Sequence, residues 1–129
     1  MGKQITITIG NEQGTAELLT ELAPQLCETI ERHLPLTGLL THAKLVDREV
    51  FFQAPFFYDQ AENNKFSEKG DLGFWNGRQS LCFFYDDMTP LGNIPTFARV
   101  TENLAGLQRE AAQVWACPKT RITITRKEG

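Results

Sequence analysis

Near each end of the chain, apolar and polar residues alternate, strictly so in the first of the two segments. Residues 5–9 read Ile-Thr-Ile-Thr-Ile, and residues 120–125 read Thr-Arg-Ile-Thr-Ile-Thr. Because a period of two sends alternate side chains to opposite faces, each segment predicts a strand with one buried and one solvated face. Strands at both termini need pairing partners, and a barrel supplies them while leaving no sheet edge exposed. The pattern therefore predicts a closed β-sheet.

Between these two segments, the spacing of apolar residues changes from every second residue, which is typical of strands, to about 3.6 residues, which is typical of helices, and back again. Strands are predicted over residues 13–18, 39–46, 49–53 and 96–101, and Asn76-Gly77 predicts a hairpin between strands 70–75 and 80–85. One helix is predicted from Pro24 to a stop at Pro35, and a second follows Thr101, its predicted cap. The chain is therefore predicted to be mainly β, a closed eight-stranded barrel with two α-helices, in one domain over residues 1–129.

The predicted barrel constrains where a ligand can bind. An eight-stranded barrel is just wide enough for side chains to fill, and the chain has nine phenylalanines to fill it. A ligand is therefore expected on the outer face or at a mouth of the barrel. The longest predicted loop, residues 55–69, begins with several aromatic residues, and loops of this length often carry function.

Composition excludes several classes of protein and site. A net charge of −3 disfavours a nucleic-acid partner, and the short apolar runs provide no membrane span. Cys27, Cys82 and Cys117 form no C-x-x-C pair, which favours a reducing compartment and predicts a cytoplasmic protein with no disulfide. His33 and His42 match no zinc template, so no metal and no cofactor are predicted.

Four short motifs occur in an order that resembles one known family. They are His42-Ala43, the hairpin segment Gly-Asp-Leu-Gly-Phe-Trp at 70–75, Ser-Leu-Cys-Phe-Phe at 80–84, and Phe-Ala-Arg-Val-Thr-Glu-Asn at 97–103. Together with the order of the elements, they resemble the cyclophilins and more closely the small prokaryotic cyclophilin-like proteins of unknown function. The resemblance covers nearly the whole chain and implies the cyclophilin-type barrel.

The resemblance does not carry over the residues of a cyclophilin prolyl isomerase. Those enzymes place an arginine on the strand after the first helix, where this chain reads Thr-His-Ala-Lys-Leu at 41–45. Phe83 matches the phenylalanine of the proline pocket, Leu81 replaces a glutamine, and Gln53 or Phe51 occupies the place of another. Residues 89–95 contain neither the tryptophan nor the histidine of the following loop. Since a preorganised donor at developing charge is typically worth about 3 kcal/mol, efficient isomerisation is not expected.

We therefore predict a binding module that takes a small anionic molecule or a peptide on the outer barrel face. Phe83 and Tyr85 would form its apolar floor, with Gln53 and His42 as orienting polar groups. Two points stay open: whether Phe83 or Phe84 faces outward, and whether His42 is a ligand contact or a satisfied residue of the barrel wall. The alternative functions are a degenerate prolyl isomerase and a structural or interaction protein. Exposed aromatic residues also predict a homodimer.

Overall fold

The computed structural model describes residues 3–44, 48–60, 62, 68–87 and 94–127. The strands are β1 (Gln4–Ile9), β2 (Glu12–Leu18), β3 (Leu36–Leu39), β4 (Thr41–His42), β5 (Glu49–Gln53), β6 (Asp71–Trp75), β7 (Ser80–Phe84), β8 (Thr96–Glu102) and β9 (Arg121–Arg126). Two helices interrupt them: α1 (Pro24–Arg32) follows β2, and α2 (Leu104–Ala112) follows β8.

All nine strands belong to one antiparallel sheet that curls into a nearly closed barrel. Its strand order is β3-β9-β1-β2-β8-β6-β7-β5-β4, so β3 and β4 are the two edges. Gly38 of β3 lies so close to β5 that a Cβ there would be 2.6 Å from the ring of Phe52. The predicted mainly β, cyclophilin-type barrel with two helices is confirmed.

The predicted number of strands was wrong, because residues 39–46 do not form one strand. Leu40 separates β3, which pairs with β9, from β4, which pairs with β5. Its amide still donates to the carbonyl of Thr120 beside β9, whereas the next residue, Thr41, pairs with Phe51 of β5, so the chain passes from one sheet edge to the other at this point. The apolar pattern runs through the corner without a turn residue to mark it. Residues 45–47 of the predicted strand lie outside the described residues.

The two helices pack at opposite ends of the barrel. At the start of β1, Lys3 pairs with Glu31 of α1 at 3.2 Å. Beyond the end of β1, the amide of Asn11 donates to the carboxylate of Glu110 in α2. Each described helix has nine residues, and none is long and apolar enough to cross a membrane.

The cap of α2 differs from the predicted one. Asn103 is the N-cap, with a φ of 61°, and its side-chain oxygen accepts from the amide of Gly106 at 3.2 Å. Thr101 instead donates its hydroxyl to the carbonyl of Thr15. Asparagine tolerates the left-handed conformation that this tight entry into the helix requires, and threonine does not.

Candidate functional site

The two faces of β7 bury different sets of residues. Phe83 pairs with Val50 and Leu72, and all three belong to the core inside the barrel. Phe84 pairs with Glu49 on the opposite, outer face. Tyr85 lies in the same core as Phe83, with their ring centroids 6.4 Å apart. The predicted outer floor of Phe83 and Tyr85 is therefore wrong in its orientation, because Phe84 is the residue that faces outward.

The outward side of β7 is covered as well. Phe84 is fully buried, and a Cβ on neighbouring Gly73 would meet Ile94 and the Pro95 carbonyl at 3.0 Å. That carbonyl also accepts from the amide of Phe74 at 3.0 Å. The chain before β8 thus packs directly on this part of the outer face, where a glycine is required for its close approach.

His42 and Tyr85 meet in a fully bonded cluster on the inward side of β4 and β7. The Nδ1 of His42 lies 2.8 Å from the carbonyl of Ala43, and its Nε2 lies 2.7 Å from the hydroxyl of Tyr85. In the neutral imidazole, Nδ1–H donates to the carbonyl and the tyrosine O–H donates to Nε2. Trp115 stacks on the same ring at 4.6 Å. This arrangement fits the barrel-wall interpretation of His42, since both ring nitrogens are satisfied.

Gln53 is separated from this cluster and lies on the outer face. It pairs with Ser80, which pairs in turn with Trp75, so the three residues form one row across β5, β7 and β6. Gln53 is exposed and Trp75 is 46% exposed. The guanidinium of Arg78 lies 5.7 Å from the centre of the Trp75 ring. We call Gln53, Trp75 and Arg78 the outer patch.

Trp75 and Arg78 are not among the site residues predicted from the sequence. Asn76-Gly77 correctly marks the hairpin, whose turn covers residues 76–79 and includes Gln79 at a φ of 51°. A tryptophan immediately before such a turn, with an arginine three residues later, is the signal that could have identified the pair. Because the turn has only four residues, the side chains of Trp75 and Arg78 lie close together beside it.

A buried acid lies farther along the outer face. Glu49 is 5% exposed and lies beside the thiol of Cys82, which is itself buried. Burial raises the pKa of Glu49, and the hydrogen bond from the Cys82 thiol offsets part of that effect. The charged carboxylate of Glu49 therefore destabilises the folded state at neutral pH.

Glu49→Gln is expected to stabilise the protein by about 1 kcal/mol at pH 7.5 and by little at pH 4. An acid whose pKa is raised on folding binds more protons in the folded state, so its penalty grows as the pH rises through that raised pKa. Glutamine keeps the size of the side chain and carries no charge. Urea unfolding of both proteins at the two pH values measures this difference. Equal differences at both values would contradict a titrating Glu49.

Other polar and thiol side chains also have partners or places within the fold. Arg99 forms a cross-strand ion pair, with its Nε 3.0 Å from the carboxylate of fully buried Asp71. Cys27 and Cys82 are buried free thiols, and Cys117 is an exposed one. Within the described ranges, no three histidine, cysteine or acidic residues are grouped to hold a metal ion.

Comparison with known proteins places this architecture in a family. The structure of McbB in complex with tryptophan superposes with a TM-score of 0.85 at 19% identity, covering 97% of this chain and 45% of McbB. This chain therefore spans less than half the length of McbB. The solution structure of a hypothetical protein from Archaeoglobus fulgidus superposes with a TM-score of 0.70 at 19% identity, covering 98% of this chain and 95% of the other. No curated protein matches this chain. The model of the cyclophilin-like family matches residues 3–114, and the chain therefore belongs to the cyclophilin-like family.

Proposed function

We propose that this cyclophilin-like protein binds a small anionic molecule or a short peptide on its outer barrel face, without efficient prolyl isomerisation. The observation that carries the proposal is the outer patch of Gln53, Trp75 and Arg78. An exposed indole offers a stacking surface, and a guanidinium beside it attracts an anion and binds a carboxylate through two parallel donors. The Gln53 amide supplies the orienting polar group that was predicted at this position.

The occupant is proposed to be small or extended rather than a large folded partner. The patch spans three neighbouring strands, a width of about 10 Å between the outer two. McbB, which shares this fold, was solved in complex with tryptophan, and this supports a small molecule as the class of ligand. The proposed ligand combines an apolar ring or side chain with a carboxylate or phosphate.

Arg78→Gln is expected to weaken binding of aromatic carboxylates about tenfold, because one charge-assisted contact is lost at an exposed site. Ligands would first be found by thermal shift with a panel of aromatic carboxylates and short acidic peptides. Titrations would then follow tryptophan fluorescence in a Trp115→Phe background, which leaves Trp75 as the sole tryptophan.

Lys119→Gln is the matched control, since it removes one positive charge from an exposed residue outside the patch. Equal weakening by Arg78→Gln and Lys119→Gln would contradict the outer patch. If no member of the panel bound, the alternative of a structural or interaction protein would take precedence. The homodimer and the cytoplasmic location stay predictions, and light scattering tests the first of them.

A further inference from the structure

A segment of the predicted aromatic loop runs along α1 from its C-terminal to its N-terminal end. Phe56 packs against His33, the C-cap of α1, with ring centroids 4.7 Å apart. Farther along, Glu62 reaches the first turn of the same helix. Between them, the amide and carbonyl of Tyr58 are both bound by the side chain of Gln79, at 2.7 and 2.9 Å. The segment is therefore fixed to the barrel before it reaches the start of α1.

The start of α1 holds a carboxylate through two backbone donors. The amide of Gln25 donates to one oxygen of Glu62 at 2.8 Å, and the amide of Leu26 donates to the other at 2.9 Å. The N-cap residue Ala23 provides no side-chain cap, and the first turn contains no acidic residue. A helix start with free amides attracts anions, and here the anion comes from 36 residues away in the sequence.

Tyr58 adds a buried hydroxyl at the same place. The residue is 7% exposed, and its hydroxyl has no hydrogen-bond partner among the described residues. Burial raises the pKa of this hydroxyl, and its interaction with the neighbouring Glu62 carboxylate raises it further, so the hydroxyl stays protonated and available as a donor. Glu62 is not placed to accept a well-formed hydrogen bond from it. A buried hydroxyl without such a bond is costly, and an anion seated slightly deeper than Glu62 would satisfy it.

We propose that the Gln25 and Leu26 amides together with the Tyr58 hydroxyl form a binding site for the carboxylate of a small carboxylic acid. Glu62 occupies this site from within the chain, and a free carboxylate competes with it for the same donors. This site is independent of the outer patch, because none of the residues of that patch contributes to it. An internal occupant acts at an effective concentration in the millimolar range or above, so the native chain binds small carboxylates weakly and removal of Glu62 exposes the site.

Chemical rescue with acetate tests this proposal. Glu62→Ala is expected to lower the melting temperature, and 100 mM sodium acetate is expected to raise it again by about 5 °C more than sodium chloride of equal ionic strength. Native protein should show less than a fifth of that acetate-specific shift. Glu28→Ala is the matched control, since Glu28 is an exposed acid of the same helix that does not contact these amides.

A second substitution separates a built site from a general effect of salt. Adding Tyr58→Phe to Glu62→Ala should weaken acetate binding at least threefold, because the ring remains and only the donor is lost. If Glu62→Ala does not fold, Glu62→Gln provides the same comparison, with acetate followed by the NMR shifts of the Gln25 and Leu26 amides. Equal acetate shifts in the Glu62 and Glu28 variants, or unchanged binding without the Tyr58 hydroxyl, would overturn the proposal.

Discussion

Phe74→Ala is expected to lower the free energy of unfolding by about 3–5 kcal/mol. Phe74 is fully buried, its ring stacks on Phe56 at 5.7 Å, and the edge of Tyr58 meets it at 5.8 Å. Truncation would therefore lose the transfer free energy of a whole ring and leave a cavity between two other rings. Urea unfolding followed by circular dichroism measures the change.

Phe57→Ala is the control, because Phe57 lies between Phe56 and Tyr58 in the sequence but is 73% exposed. Its replacement should change the free energy of unfolding by less than about 0.5 kcal/mol. The contrast tests whether the aromatic segment is anchored through alternate residues. A loss below about 1 kcal/mol for Phe74→Ala, or similar losses for both variants, would contradict this packing.

Alternation of buried and solvated residues along the strands also explains why much of the barrel could be predicted from the sequence. In β1 and β9, isoleucines and threonines take turns, so the buried face is unambiguous and the strands are where the pattern places them. The Asn76-Gly77 pair similarly locates the hairpin between β6 and β7. Where one face of a strand is wet, local sequence contains the information about both its bounds and its orientation.

Strand β7 lacks that information, and the outward orientation predicted for Phe83 and Tyr85 is wrong. Leu81, Cys82, Phe83 and Phe84 are all apolar and all buried, because the core covers one face and the chain at Ile94 and Pro95 covers the other. A period of two cannot distinguish the faces of a strand that is buried on both. The orientation of Phe83 depends on long-range packing, which no local pattern reports.

The contact between Glu62 and α1 could not be predicted for a related reason. Its two hydrogen bonds join residues 36 and 37 apart in the sequence, and nothing near Glu62 resembles a capping box. The same holds for His42 and Tyr85, which are 43 residues apart. His42 and Tyr85 were each predicted as site residues from their residue types. The contact between them depends on the curvature of the barrel, which the local sequence does not indicate.

The protein is expected to catalyse prolyl isomerisation at less than about a hundredth of the rate of a true cyclophilin, equivalent to about 2.7 kcal/mol of transition-state stabilisation. The outward positions of β4 and β5 are Thr41, Glu49, Phe51 and Gln53, and none of them is a cation. The outward phenylalanine of β7, Phe84, is buried rather than open to a proline ring. A groove without the arginine can bind a peptide, but equal binding of ground and transition states gives no acceleration.

A proline-peptide assay with a cyclophilin isomerase as the positive control measures this rate. A mock preparation from cells that lack the protein corrects for host isomerases that copurify. Thr41→Arg places a guanidinium on the outward side of β4, but it is not expected to create activity, because Ile94 and Pro95 still lie over the adjoining face beside Phe84. A rate within tenfold of the positive control, above the mock, would instead make the degenerate isomerase the better description, since that much catalysis requires a transition-state donor.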